Sequence, residues 1–283
     1  MIENLFLSVG AMKAGTTWLY EQLKNHPRFH STPEKEIHYF EQVSGSTNPL
    51  SFPKRKEKMV QLIAEKNQAF VANHTDRIQW YLDYGRDEIV NDAWYEKLFG
   101  SHAANPLVYC ADYSNLYALL NHVGWKRVRQ NCKNLKVVYT LRDPLSRIWS
   151  HYKFHLQFIG KEKSIGDSNT DQFIEMLDKD WFWQHACYDE CLTRFNKHLR
   201  KEELQVLYFE DFRQKPQETM NLLCDFLQIE SFQLGPSSSE PVNASINMKM
   251  PEEWKAIAIT KLIPTLKELK AKGMIHESWN YEI

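Results

Sequence analysis

The sequence predicts an α/β fold of three layers, a parallel sheet with helices on both faces and a P-loop-like turn after the first strand. Three observations predict it. Short, nearly continuous apolar runs recur at Leu5–Val9, Val108–Ala111, Leu135–Leu141 and Leu204–Phe209. Amphipathic stretches such as Lys56–Glu65, Leu145–Phe158 and Gln217–Leu227 lie between or after them. A glycine-containing loop follows the first run directly, and then Trp18, Leu19 and Leu23 fall at helical spacing. Strands without polar alternation are buried on both faces, and parallel strands need helical crossovers.

In such sheets ligands bind beyond the carboxyl ends of the strands, so the residues after Val9 and Leu141 are the informative ones. Trp181–Leu199 reads as one helix, and Glu252–Lys272 as a helix broken at Pro264. Gly160–Thr170 and Gly235–Pro251 have turn composition, and the second is long enough to serve function.

Lys+Arg is 35 against 36 Asp+Glu, a formal net charge of -1. That balance argues against a nucleic-acid partner, so an anion site must come from local placement of basic groups. The 283 residues, 43% hydrophobic, suit one large domain or two small ones. Five scattered cysteines (Cys110, Cys132, Cys187, Cys191 and Cys224) read as the reduced thiols of a cytosol. His185, Cys187 and Cys191 lack a second ligand pair and read as buried side chains, not a zinc site. Residues 1–10 carry no basic segment and only a short apolar run, so a soluble, cytoplasmic chain without membrane partners is expected.

The loop reads Gly10-Ala11-Met12-Lys13-Ala14-Gly15-Thr16-Thr17. Backbone N–H groups between a strand and a helix N-terminus suit a phosphate, and small residues let it approach. Gly10 and Gly15 keep the spacing of G-x-x-x-x-G-K-[ST], but Thr16 stands where that motif has lysine; the lysine lies inside the loop as Lys13. A displaced lysine suits one phosphate with the reacting group beside it. Arg142 ends a strand and Pro144 begins a helix carrying Ser150, so the arginine can aim a bidentate fork at a second phosphate. On residue type alone, the favoured reading is a salt bridge from Arg142 to a neighbouring carboxylate, with Ser150 an ordinary helix residue. Arg147 either assists that site or pairs with a carboxylate, and His151 and His155 read as packing or surface residues.

Lys13-Ala14-Gly15-Thr16-Thr17-Trp18 is similar to the K-x-G-T-[TS] loop of the PAPS-dependent sulfotransferases, and Leu141–Tyr152 to their L-R-[DN]-P-x-x-R-x-x-S-H-Y motif. The resemblance implies PAPS as donor and PAP as product. It places Lys13 on the 5'-phosphate and bridging oxygen, with Ala14, Gly15, Thr16, Thr17 and Trp18 completing the loop. It places Arg142 and Ser150 on the 3'-phosphate, a group that ATP lacks. Lys35-Glu36-Ile37-His38-Tyr39-Phe40 resembles the K-E-x-H-[FY]-F segment of the heparan-sulfate-type enzymes. That implies Glu36 as general base, with Lys35 and His38 lining the reaction centre and His38 as the competing base. An attacking alcohol must lose a proton, and charge growing on the leaving oxygen needs cations such as Lys13 and Lys35. On residue type alone, Glu36 is a solvated charge paired with Lys35.

Trp94–Phe99 and Ala111–Tyr117 resemble the W-Y-x-x-x-F and G-E-x-[ST]-P-x-Y segments, with Ala-Asp for Gly-Glu and Asn115 for the proline. Val206–Phe212 with Pro216 resembles V-L-x-x-E-D-[LF]-x-x-x-P. The K-G-R-like loop of the glycan enzymes is not found, which leaves Val242–Pro251, with Asn243, Ser245 and Lys249, to take its place. The resemblance thus implies a single sulfotransferase domain over residues 1–283. It moves the sulfuryl group of PAPS to a glycan, phenol or small-alcohol hydroxyl without metal. The rivals are a P-loop kinase or nucleotidase, which needs lysine at position 16 and a magnesium site, and a nucleotide-binding module without catalysis.

Overall fold

β1 (Ile2–Ser8), β2 (Phe29–Ser31), β3 (Tyr109–Tyr113), β4 (Cys132–Leu141) and β5 (Leu204–Tyr208) form a central sheet in the order β2-β3-β1-β4-β5. Helices surround it, as expected for an α/β fold. The computed structural model describes residues 1–45, 48–64, 75–160, 169–235 and 248–282. Residues 161–168 and 236–247, within the two segments read as loops, lie outside the described residues, as do Glu65, Asn243 and Ser245. β1, β3 and β4 are buried over most of their length, with Leu5, Phe6, Val137 and Val138 fully buried.

The chain divides into two compact units, Met1–Ser8 with Leu23–Val137, and Val9–Gln22 with Val138–Ile283. In the first, β1 and β2 each pair in parallel with β3, with Leu5 opposite Cys110, Ser8 opposite Tyr113 and Phe29 opposite Tyr109. β2 is three residues long and lies in a segment that carried no strand signal; its pairing, not its periodicity, makes it a strand. Tyr39, Phe40, Tyr95 and Tyr117 pack a buried aromatic layer, with Tyr39 and Tyr95 stacked at 4.4 Å. Arg55 is buried and donates to the carbonyls of Leu50, Tyr84, Arg86 and Glu88, so four neutral acceptors satisfy its guanidinium.

In the second unit the ladder continues past the end of β1: Val9 N–H donates to Val138 O at 3.0 Å and Ala11 N–H to Thr140 O at 2.9 Å. Helix Pro144–Phe158 opens with proline in its first turn and Asp143 Oδ1 accepting from Ser146 N–H at 2.7 Å. Its buried face joins Phe173, Phe182 and Trp254 in one apolar cluster.

Two helix expectations are corrected here. Trp181–Leu199 is not one helix: Asp180–Trp183 passes through a 3-10 turn, Gln184–Ala186, and Cys187 at ψ 66 separates it from Tyr188–His198. Glu252–Ala271 runs unbroken through Pro264. The proline forfeits one backbone bond, but Ala258, Leu262, Leu266 and Leu269 are fully buried along the helix and hold it.

Candidate active site

The loop between β1 and helix α1 (Thr16–Leu23) takes three positive φ angles, at Gly10 (134), Lys13 (68) and Gly15 (89). Glycine reaches such angles freely; lysine does so at a cost that the surroundings must hold in place. Gly15 has a second requirement. A Cβ there would come within 2.8 Å of Phe209 and 2.9 Å of Phe212, so only glycine fits against those rings. Phe212 also stacks on Trp18 at 4.4 Å, which fixes the first turn of α1. Ala14, Thr16 and Trp18 are buried, Thr17 and Lys13 half-buried, and the Lys13 ammonium sits 4.2 Å above the Phe154 ring.

Arg142 follows β4 directly. Its Nη1 donates to the Lys13 carbonyl at 2.8 Å and its guanidinium lies 4.4 Å over the Phe209 ring. The Tyr188 hydroxyl donates to the Arg142 carbonyl at 3.0 Å, and Glu210 accepts from Asp143 N–H at 2.8 Å. Burial lowers the Arg142 pKa from the ordinary value, with Tyr188, Glu210 and Asp143 opposing that shift. An open pocket of about 550 Å³ is lined by Arg142, Ser146, Phe209, Glu210, Arg213 and Gln214. It lies where the β4 and β5 chains leave the sheet at their carboxyl ends. Ser150 is 4% exposed and is not among the pocket's lining residues.

Arg147 is buried completely and contacts His151 Nδ1 at 3.3 Å. Burial first, and the Arg147 charge second, push His151 down to about 2, so it stays a neutral ring stacked on Phe182 at 4.4 Å. His151 is therefore a packing residue. Cys187 and Cys191 are buried free thiols beside buried His185. Among the described residues no group of three or more His, Cys, Asp or Glu is placed to hold a metal ion.

The other unit holds Lys35, Glu36 and His38. Glu36 N–H donates to the Tyr113 carbonyl at 3.0 Å, which hooks the segment onto the end of β3. Glu36 and His38 both take φ 58, the left-handed region that branched or charged residues enter only when held there. Glu36 is not a solvated charge resting on its neighbour. Its Oε2 accepts from Asn115 N–H at 2.8 Å and its Oε1 from Asn115 Nδ2 at 2.9 Å, with His38 Nε2 3.4 Å from Oε2. Protein fills most of the space around this carboxyl although 29% of the side chain stays exposed. Burial raises its pKa to about 7, against the opposing pull of the Asn115 bond and of Lys35, which is half-buried beside it.

His38 caps the helix Tyr39–Val43 and lies between two carboxylates, with Nδ1 3.6 Å from Glu41. Burial lowers its pKa to about 4, so it is neutral at pH 7. Its N–H donates to Ser114 Oγ at 3.0 Å, and that hydroxyl donates to Asp112 at 2.6 Å. Asp112 is fully buried and also accepts from Tyr95 at 2.9 Å and Tyr117 at 2.8 Å. Asp112 thus anchors the backbone that carries His38.

Sequence reasoning placed no role on Phe154, Phe209, Phe212 or Asn115. Phe209 was detectable as the residue directly after a strand, the position where ligands collect in this architecture.

The five-stranded sheet with its surrounding helices and a glycine-containing turn after β1 defines an α/β class of protein. Comparison with protein families matches residues 6–233 to the Sulfotransferase family, and the chain belongs to that family. A curated relative, the membrane-associated sulfotransferase kil1 of Dictyostelium discoideum, is 28% identical over 159 residues; the match spans 56% of this chain and 24% of that protein. Among solved structures, a sulfotransferase from Alicyclobacillus acidocaldarius superimposes with a TM-score of 0.63 at 19% identity, covering 96% of both chains. A sulfotransferase domain from the curacin biosynthetic pathway gives 0.54 at 17% identity, covering 97% of this chain and 99% of that one. These structures establish the shared fold. Among the described residues no helix is long and apolar enough to cross a membrane.

Proposed function

We propose that this chain transfers the sulfuryl group of PAPS to an acceptor hydroxyl and releases PAP, with residues 1–283 working as one sulfotransferase domain. The observation that carries the reading is the 2.8 Å bond from Arg142 to the Lys13 carbonyl, which ties the phosphate loop to the residue expected at a second phosphate. PAPS has a 5'-phosphosulfate and a 3'-phosphate for those two features; ATP has no 3'-phosphate.

In this reading Lys13 and the loop from Ala14 to Trp18 bind the 5'-phosphosulfate, and Arg142 and Ser150 bind the 3'-phosphate. The acceptor oxygen attacks sulfur, the bond from sulfur to the bridging phosphate oxygen breaks, and the hydroxyl proton passes to the Glu36 carboxylate. Lys13 and Lys35 balance charge on the departing phosphate. Glu36 is the stronger base of the candidate pair, since a carboxyl near 7 holds a proton far better than an imidazole near 4. A sulfuryl group carries less negative charge than a phosphoryl group, so lysines suffice and no metal is required. Hydroxyls of glycans, phenols or small alcohols are the acceptors, and the five buried thiols suit the cytosol.

The test is incubation of the purified chain with PAPS and a panel of those acceptors in EDTA, with PAP and sulfated product quantified. PAP and sulfate ester should appear in equal amounts for at least one acceptor class. Product only after magnesium is restored, or phosphoryl transfer from ATP, would overturn the reading.

A further inference from the structure

We propose that Asn115 is a positioning residue that grips both oxygens of Glu36 and fixes the direction in which that carboxylate accepts a proton. The inference rests on Glu36 as the base of the reaction proposed above. Asn115 offers two donors at once, its backbone N–H at 2.8 Å and its side-chain amide at 2.9 Å, one to each carboxylate oxygen. A carboxylate held at both oxygens cannot rotate about its last bond without breaking one of them. Each oxygen accepts one Asn115 bond and keeps a lone pair for another partner.

The backbone on both sides is prepared for this grip. Glu36 is held in the left-handed region, and its own N–H is fixed on the Tyr113 carbonyl, two residues before Asn115. Asn115 opens the short 3-10 helix Asn115–Leu119, so its N–H is one of the helix-start donors that the helix itself leaves unused. The Glu36 carboxylate takes it.

The grip also sets where Glu36 titrates. Lys35 and His38 face it from its own segment, Lys58 from helix Phe52–Ala64, and Asp112 from β3. Burial and Asp112 oppose the ionised form, while the Asn115 backbone N–H and the two lysines favour it. Removing the donors therefore moves the Glu36 midpoint upward.

Two variants separate the donors. Asn115→Ala removes only the side-chain amide. Asn115→Pro removes both, and the site suits proline: it is the first helical residue, and Ser114 before it is extended at φ -119, ψ 102. The Glu36 carboxyl is titrated by carbon-13 NMR on glutamate-labelled protein, assigned with Glu36→Gln, and turnover against pH is recorded for each variant. The midpoint should rise by on the order of one pH unit in Asn115→Ala and further in Asn115→Pro. The acid limb of turnover should follow it, with PAP affinity unchanged. An unmoved midpoint in Asn115→Ala would overturn the proposal, whether or not the proline variant folds. Full turnover by Glu36→Gln would instead remove the base assignment, a result distinct from the titration.

Discussion

Arg142 donates to the backbone carbonyl of Lys13 across 129 residues of sequence, so the arginine that ends β4 also braces the loop that follows β1. The same guanidinium lies over Phe209, whose neighbour Phe212 stacks on Trp18. The loop after β1 and the segment after β4 are therefore mechanically joined, and a change at Arg142 should be felt in the loop.

Replacing Arg142 with Ala should lose a charge-assisted contact to the 3'-phosphate, about 1.5–3 kcal/mol. PAP binding should weaken roughly ten- to a hundredfold while AMP binding changes far less. Calorimetric titration of both ligands into both proteins checks this; an undiminished preference for PAP would place the 3'-phosphate elsewhere.

Gly15→Ala should destabilise the fold. The new methyl would meet Phe209 and Phe212 below 3.0 Å, on a backbone at φ +89 that side chains rarely adopt. A loss of about 1–3 kcal/mol is expected from overpacking and backbone strain together. Urea denaturation measures it, and an unchanged midpoint would mean that the loop relaxes freely.

The sheet and the turn after its first strand were legible because they depend on local pattern: apolar runs for β1, β3, β4 and β5, and a glycine-containing loop after the first of them. β2 was not, because three residues carry no periodicity and its pairing to β3 is a long-range fact. The break at Cys187 and the continuity through Pro264 were misread for a related reason. Both are decided by tertiary packing that overrides local preference. At the candidate site, residue type alone allowed Glu36 to be a surface charge; its grip by Asn115, 79 positions away, is invisible to spacing. Arg147, read as assisting the second anion site or pairing with a carboxylate, lies fully buried beside a neutral histidine, a placement that spacing does not reveal.

Asp112→Asn should cost about 1–3 kcal/mol, because the amide puts an NH2 donor in place of one of the two oxygens that accept from three hydroxyls. Turnover should fall as well, through the Ser114 contact that holds the His38 backbone. Thermal unfolding and steady-state kinetics on the same preparation test both parts; a variant as stable as the parent would show that the network repacks.

Glu36→Gln keeps the shape of the side chain but removes proton acceptance, so turnover should fall roughly 10²–10⁴-fold with PAP affinity unchanged. Only the ionised carboxylate accepts a proton, and its pKa stands at about 7. Turnover of the parent should therefore decline about tenfold per unit as pH falls below that value, and level off above it. His38→Gln is the control. Near-normal turnover in Glu36→Gln beside a dead His38→Gln would make the imidazole the base.

The measurement that tests the central claim most directly is ligand-induced stabilisation of the parent chain by PAP, AMP and magnesium-ATP at matched concentrations. A ligand at a hundred times its dissociation constant stabilises a fold by about 2.7 kcal/mol. The account predicts a clear rise in unfolding temperature with PAP, a smaller one with AMP, and no dependence of the PAP effect on metal. Stabilisation by magnesium-ATP equal to or above that by PAP would contradict it.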